Sequence, residues 1–359
     1  MACDLSTTPQ SPPRALTHAG ADTVGRTPDQ PGAPSTRLPG LEALRGVAAV
    51  CVLLLHTRAV FGGSPVFGKG YLGVDFFLML SGYLMARNQE TRLASGLRPW
   101  GFMVKRYRRV WPMMAAAGVL GVPRLLLRTD TIGQFAAIAV VNFLLLPVSF
   151  KREAFPLNIP AWTIFYELVA NFLHVHLFWR LRTLGLALAI AACLPLVVWL
   201  GLRWGSFDVG ARPEHFIAGL PRIAFAYLIG IGLARWWRDR PPLPVPALPA
   251  LIAMPAVLAL GWWLGLGSWL FDLAFVVVFC PLMIAGALRL TRFARAAGML
   301  GKLSFPLFAV QMPILQGMQL LGFGYWAGIC AAIVGGVLAA ILAEALKRPK
   351  PARNQEIAA

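Results

Sequence analysis

Few residues in this chain of 359 can do chemistry, and most of them stand in apolar surroundings where an ionised side chain is costly and is therefore a functional candidate. Arg45 and His56 are eleven residues apart. On a helix that spacing is about 1,100° of rotation, within roughly 20° of three full turns, which places both on one face about 16 Å apart. An imidazole so placed can take a proton from a hydroxyl, or it can simply bond a neighbouring helix. Asp75, in GYLGVDFFLMLSGYLMAR (residues 70–87), is expected at a depth close to that of His56, where it would hold the imidazole in one tautomer or else cap its own helix.

Arg106 and Arg109 in KRYRR lie three apart, one above the other on a helix. With Arg45 nearby they would make an anion site suited to phosphate, because each guanidinium fork donates paired hydrogen bonds. The alternative is a plain topogenic cluster. Glu167, in PAWTIFYELVANF (residues 160–172), is expected about one turn below the opposite surface. There it would pair with His56, accept hydrogen bonds from a sugar-like molecule, or join a structural ion pair. His174 and His176 are two apart and so point to different faces, which argues against a metal site. The five cysteines have no short spacing, and GxSxG, HExxH and P-loop patterns are missing. No metal and no permanently bound cofactor is expected.

The elements carrying these residues are apolar spans. Hydrophobic residues make up 58% of the chain and charged ones 13%, against roughly 45–50% and 25% in soluble domains. A water-soluble protein is excluded. From Leu44 onward, eleven apolar stretches approach the roughly 20 residues needed to cross a bilayer. The first covers about 44–61, the fourth 131–148 and the last 325–346. The densest basic segment runs from Arg87 to Arg109, and the positive-inside rule puts it in the cytoplasm.

If the fourth stretch crossed, the basic groups Arg180/Arg182, Arg235/Arg238/Arg240, Arg289/Arg292/Arg295 and the carboxyl-terminal tail would all face outward. If it dips in and returns, or lies at the interface, they face inward. The expectation is an all-α integral membrane protein with about ten transmembrane helices, one re-entrant or interfacial segment and both termini in the cytoplasm. Arg124 and Arg128 are then left on the outer side. Most of the net charge of +18 thereby becomes topology, and no nucleic-acid partner is needed. Residues 1–36, rich in Pro, Ser, Thr, Gly and Ala, predict a disordered tail without a secretory signal, and residues 347–359 a basic tail.

The stretches GLEALRGVAAVCVLLLH (40–56), GYLGVDFFLMLSGYL (70–84), FMVKRYRRVWP (102–112), PAWTIFYELVANF (160–172) and LGKLSFPLFAVQMP (300–313) together resemble the acyltransferase 3 family of integral membrane acyltransferases. The resemblance covers residues 37–346 in family order. It implies an Arg-x10-His motif at Arg45 and His56, an Arg-x-x-Arg motif at Arg106 and Arg109, and the family's acidic positions at Asp75 and Glu167. It further implies a donor, acyl-CoA and usually acetyl-CoA, used as co-substrate from the cytoplasm. The acyl group would go to a hydroxyl of a saccharide such as an O-antigen or exopolysaccharide, at the bacterial inner membrane. His56 is the expected catalytic base, with Asp75 or Glu167 orienting it, and Arg45, Arg106 and Arg109 hold the CoA phosphates. A covalent route through Ser81 or His56 is the alternative within this chemistry.

Two departures stand out. Gln311 occupies a position where many members carry histidine, and no hydrolase-like domain follows the membrane part, so a single-domain enzyme is expected. The competing functions are a proton-coupled transporter or flippase of a saccharide or lipid intermediate, and a family enzyme acting on a peptidoglycan sugar or a macrolide-type small molecule.

Overall fold

The computed structural model describes residues 38–346, so the expected tails over 1–36 and 347–359 lie outside the described residues. Among the described residues the protein is all-helical and has no strand. In chain order the helices are α1 (Pro39–Phe61), α2 (Leu72–Ala94), α3 (Pro99–Leu126), α4 (Ile132–Phe143), α5 (Ala161–His176), α6 (Thr183–Trp204), α7 (Gly219–Trp236), α8 (Ala247–Trp263), α9 (Trp269–Ala287, with a π turn at Phe275–Phe279), α10 (Ala294–Leu320) and α11 (Tyr325–Ala345).

Each apolar stretch becomes one helix, but several helices run past the apolar limits. α2 continues through RNQETRLA, in which all but Asn88 and Thr91 are good helix formers even though hydropathy rejects the segment. α3 begins at Pro99, a proline at the first helical position where no intrahelical N–H is required. Arg106 and Arg109 are therefore stacked on one helix, as their spacing predicts.

Five helices are long and apolar enough to cross a membrane by length and composition: α1, α6, α9, α10 and α11. In α6 and α11 the most apolar stretch has a mean hydropathy of 2.3, yet only 22% of it is buried within the protein. Leu188, Trp199 and Leu202 of α6 and Leu338 and Ile341 of α11 point outward, as surfaces solvated by hydrocarbon do. Of the charged groups that lower the hydropathy of α2, α3, α5 and α7, Asp75, Glu90 and Arg222 are buried in the bundle and Arg106, Glu167 and Arg235 are half-buried, while Arg87, Arg92, Lys105, Arg108 and Arg109 are exposed.

Helix directions follow from the contacts. α1 and α10 run parallel: Glu42 lies against Gly301 near their starts, and the Val60 carbonyl accepts from Gln319 Nε2 at 2.5 Å near their ends. α2 and α7 are parallel as well, with Asp75 paired to Arg222 near their starts and Glu90 to Arg235 near their ends. Two glycines permit this approach. A Cβ at Gly82 would overlap the Tyr227 carbonyl, and one at Gly230 the Met79 carbonyl. Small residues at such seams let helix backbones come together where no hydrophobic force drives them. α1 and α2 are antiparallel, since Gly70 meets Cys51 and Leu55 while Gly73 meets Val52 and Ala48.

Every helix that traverses the bundle reverses the chain, so an even-numbered helix can be parallel to an odd-numbered one only if one between them fails to traverse. Both parallel pairs meet that condition if the exception lies between α2 and α7. α4 has 12 residues, about 18 Å of rise, and is the shortest helix in that interval.

Candidate active site

The arginine cluster forms where α1, α2, α3 and α5 meet. Arg106 of α3 donates from Nη2 to Glu167 Oε1 of α5 at 2.5 Å, and Ser81 of α2 donates from Oγ to the same oxygen at 3.1 Å. Arg109, one turn along α3, lies in the field of Arg106, Arg45, Glu167 and Glu42. Arg45 is 3.7 Å from Glu42 on its own helix. Three guanidinium groups thus converge with two carboxylates at the end of the bundle where α1 begins. The Arg45 and Arg106 side chains are 28% and 24% exposed, which leaves them accessible to an anion. Repulsion among like charges held this close is relieved when an anion binds.

Three turns along α1, on the face that carries Arg45, stands His56. Its Nδ1 is buried and has no hydrogen-bond partner. A ring nitrogen left unbonded in the interior costs about 1–3 kcal/mol, a cost that a hydrogen-bond partner brought to Nδ1 would offset.

The two acidic residues are placed differently from the expectation. Asp75 is bonded to Arg222 of α7, Nε to Oδ1 at 2.9 Å and Nη2 to Oδ2 at 2.6 Å, and both side chains are 1% exposed. The same guanidinium donates to the carbonyls of Val209 and Tyr71. The antiparallel register sets Asp75 more than a turn deeper than His56, because Gly73 already lies beside Val52 and Ala48. No hydrogen bond joins Asp75 to the imidazole. Glu167 lies two turns into α5, about 9 Å from its start, and its partners are Arg106 and Ser81, not His56. Ser81, the candidate for a covalent route, accordingly belongs to the arginine cluster.

His174 and His176 do point apart. His174 is buried, with neither ring nitrogen bonded, whereas His176 contacts the Phe172 carbonyl through Nδ1. Sequence reasoning missed Arg222 as a partner and the buried amide Asn158, and it singled out Gln311 only as a departure from the family pattern. Asn158 donates from Nδ2 to the Ala309 carbonyl at 3.0 Å, and Gln311 is wholly enclosed with neither amide atom bonded. At the His56 end, the segments before α5 and α7 are joined by the bond from Ala154 N to Ala211 O. Ser149, Lys151, Arg152, Arg212, Pro213 and Glu214 line a polar pocket of about 500 Å³ between them.

The bundle thus carries apolar outward faces, three arginines near one end of α1 and a histidine with an unbonded ring nitrogen farther along the same helix. The acyltransferase domain family matches residues 38–345, and the chain belongs to this family, the acyltransferase 3 family. Protein 2 in the picA locus of Rhizobium radiobacter is 32% identical over 186 residues, which cover 46% of this chain and 95% of that protein. Peptidoglycan O-acetyltransferase OatA of Listeria monocytogenes is 28% identical over 226 residues, 56% of this chain and 34% of the relative. A putative O-acetyltransferase of Staphylococcus aureus is 30% identical over 98 residues, 26% of this chain and 15% of that protein. The chain therefore spans about a third or less of the length of these two O-acetyltransferases. No solved structure matches the chain.

Proposed function

We propose that this protein moves an acyl group, acetyl in the simplest case, from cytoplasmic acyl-CoA to a hydroxyl of a cell-envelope or exported saccharide. The observation that carries the reading is the disposition of Arg45, Arg106 and Arg109 at one end of α1 and of unbonded His56 three turns along the same face. Arg45, Arg106 and Arg109 take the CoA phosphates, Glu167 holds Arg106 in place, and the pantetheine arm carries the thioester toward His56. His56 removes the proton from the acceptor hydroxyl, and the oxygen attacks the thioester carbonyl. The carbon–sulfur bond then breaks, CoA leaves as thiolate, and the thiolate takes up a proton. Ser81 sits beside Arg106 and not beside His56, which favours direct transfer over a seryl intermediate. The names of the Listeria and Staphylococcus relatives support acetyl as the group moved.

The same reading places the chain in the bacterial inner membrane with ten crossings and both termini cytoplasmic. The parallel pairs α1/α10 and α2/α7 support a non-crossing α4, and that topology puts the arginine cluster on the side of acyl-CoA. The polar pocket at the His56 end then faces outward and suits a hydroxyl-rich acceptor. The test joins two measurements. Purified His56→Ala protein should bind acetyl-CoA normally but transfer acyl groups about 10²- to 10⁴-fold more slowly, the usual contribution of a general base. Deletion of the gene should remove base-labile acetyl groups from surface or secreted polysaccharide. His56→Ala turnover at the native rate overturns the base, and an unchanged acetyl pattern overturns the saccharide acceptor.

A further inference from the structure

Five basic side chains gather at the His56 end of the bundle, where the reaction above gives them no role. Lys151, Arg152 and Arg212 line the polar pocket of about 500 Å³, a volume within the roughly 300–1,000 Å³ of small-molecule sites. Arg124 and Arg128, from the end of α3 and the turn after it, belong to the same group. Lys151 Nζ donates to the Arg128 carbonyl at 3.3 Å, and Arg124 lies in the field of Arg128 and Arg152. α5 runs parallel to α2 and α7, with Trp162 against Arg222 near their starts and His174 beside Glu90 near their ends. The pocket, built from the segments that precede α5 and α7, is therefore at the end toward which His56 lies.

The carboxylates nearby do not balance this charge. Glu153 is shared, its Oε1 standing 3.5 Å from both Arg124 Nη2 and Arg128 Nη1. Glu214 is 3.6 Å from Arg212, and with side chains 69% and 52% exposed that pair is worth about 0–1 kcal/mol. Asp208, in the same loop as Arg212, has its field on Arg222 and Tyr71. Lys151 and Arg152 have no carboxylate partner among the described residues. In the topology proposed above, these cations lie on the side where the positive-inside rule expects the fewest. Repulsion among like charges is relieved by an anion. The backbone bond from Ala154 N to Ala211 O fixes the two walls against each other, so Lys151, Arg152 and Arg212 are held around a concavity instead of spread over a face that meets lipid headgroups.

We infer that this pocket binds an acidic group of the acceptor, and that the saccharide acylated is an anionic one. The acidic group is a carboxylate within the sugar chain or a phosphate attached to it. Either oxyanion takes paired hydrogen bonds from the guanidinium forks of Arg152 and Arg212, with Lys151 as a point charge. The acidic unit seats in the pocket while a hydroxyl of that unit or of a neighbouring one extends to His56. This inference rests on the saccharide-acceptor reading above.

The experiment takes surface and secreted polysaccharide from the deletion strain, splits it by anion exchange into acidic and neutral fractions, and offers each with labelled acetyl-CoA to the protein in nanodiscs. Label should enter the acidic fraction. It should fall about tenfold when that fraction's carboxyl groups are reduced or when its phosphates are cleaved, and the treatment that lowers it identifies the oxyanion. Arg152→Gln and Arg212→Gln replace exposed side chains. Each should raise the KM for the acidic acceptor about tenfold, the equivalent of roughly 1.4 kcal/mol, with kcat and the KM for acetyl-CoA unchanged. Arg203→Gln, at an exposed arginine of α6 that lies over Trp204 and outside the pocket, should change none of these. Equal labelling of the neutral fraction overturns the inference, and so does label that survives both treatments. A native KM in either pocket variant overturns it too, as does a loss that Arg203→Gln reproduces. If neither fraction is labelled, it is the saccharide-acceptor reading that fails, and the inference falls with it.

Discussion

The pair Asp75–Arg222 separates a structural from a catalytic carboxylate. Arg222 is enclosed and spends two hydrogen bonds on Asp75 and two on the carbonyls of Val209 and Tyr71. Arg222→Gln leaves Asp75 buried without a counter-charge, and Asp75→Asn leaves Arg222 in the same position. Breaking a buried pair from one side costs about 3–5 kcal/mol, whereas removing both charges together is far milder. The double variant Asp75→Asn/Arg222→Gln should therefore be no less stable than either single one, a non-additivity close to the full cost of one substitution. Chemical unfolding of the four proteins in micelles measures it, with acetyl transfer per folded molecule read alongside. The reasoning is refuted if the single costs simply add. It is also refuted if the double variant folds with native stability yet does not turn over, since Asp75 would then act on the imidazole after all.

Other consequences can be checked singly. Arg106→Gln should raise the KM for acetyl-CoA about tenfold, roughly one charge-assisted hydrogen bond; Glu167→Gln, which keeps an oxygen for Arg106, should raise it less, and steady-state kinetics at varied acetyl-CoA decides the order. Gly230→Val forces a branched side chain into the Met79 carbonyl across the α2–α7 seam, so thermal unfolding should show a loss of at least about 1–3 kcal/mol. His215, in the segment before α7, accepts from Gly210 N at Nδ1, and burial holds its pKa below the ordinary value of 6.5. The unfolded chain binds that proton more readily, so stability is full above about pH 6.5 and declines as the pH falls below it. His215→Gln should flatten the decline in a melting series from pH 7.5 to 5, each pH being a choice within the range where histidine titrates.

What could be read from the chain divides by the distance over which a constraint acts. Arg45 and His56 share a face because eleven residues on one helix leave no freedom, and KRYRR stacks Arg106 on Arg109 for the same reason. The all-helical, membrane-spanning character was also within reach, because hydropathy is summed over whole segments and tolerates local error. Pairing across helices was not legible. Asp75 meets Arg222 from 147 residues away, and nothing near either one distinguishes that arginine from those placed by topology. Glu167, nearly two turns into α5, pairs with Arg106 from 61 residues away, a partner that nothing in its local sequence announces. Asn158 is the intermediate case. Pro306 and Pro313 announce that α10 has free carbonyls, so a donor from elsewhere was required, but which amide supplies it depends on how the loop before α5 folds back over α10. A proline in an interior helix thus predicts that a polar partner is needed and leaves its identity to the fold, and here Asn158 supplies the donor for the Ala309 carbonyl.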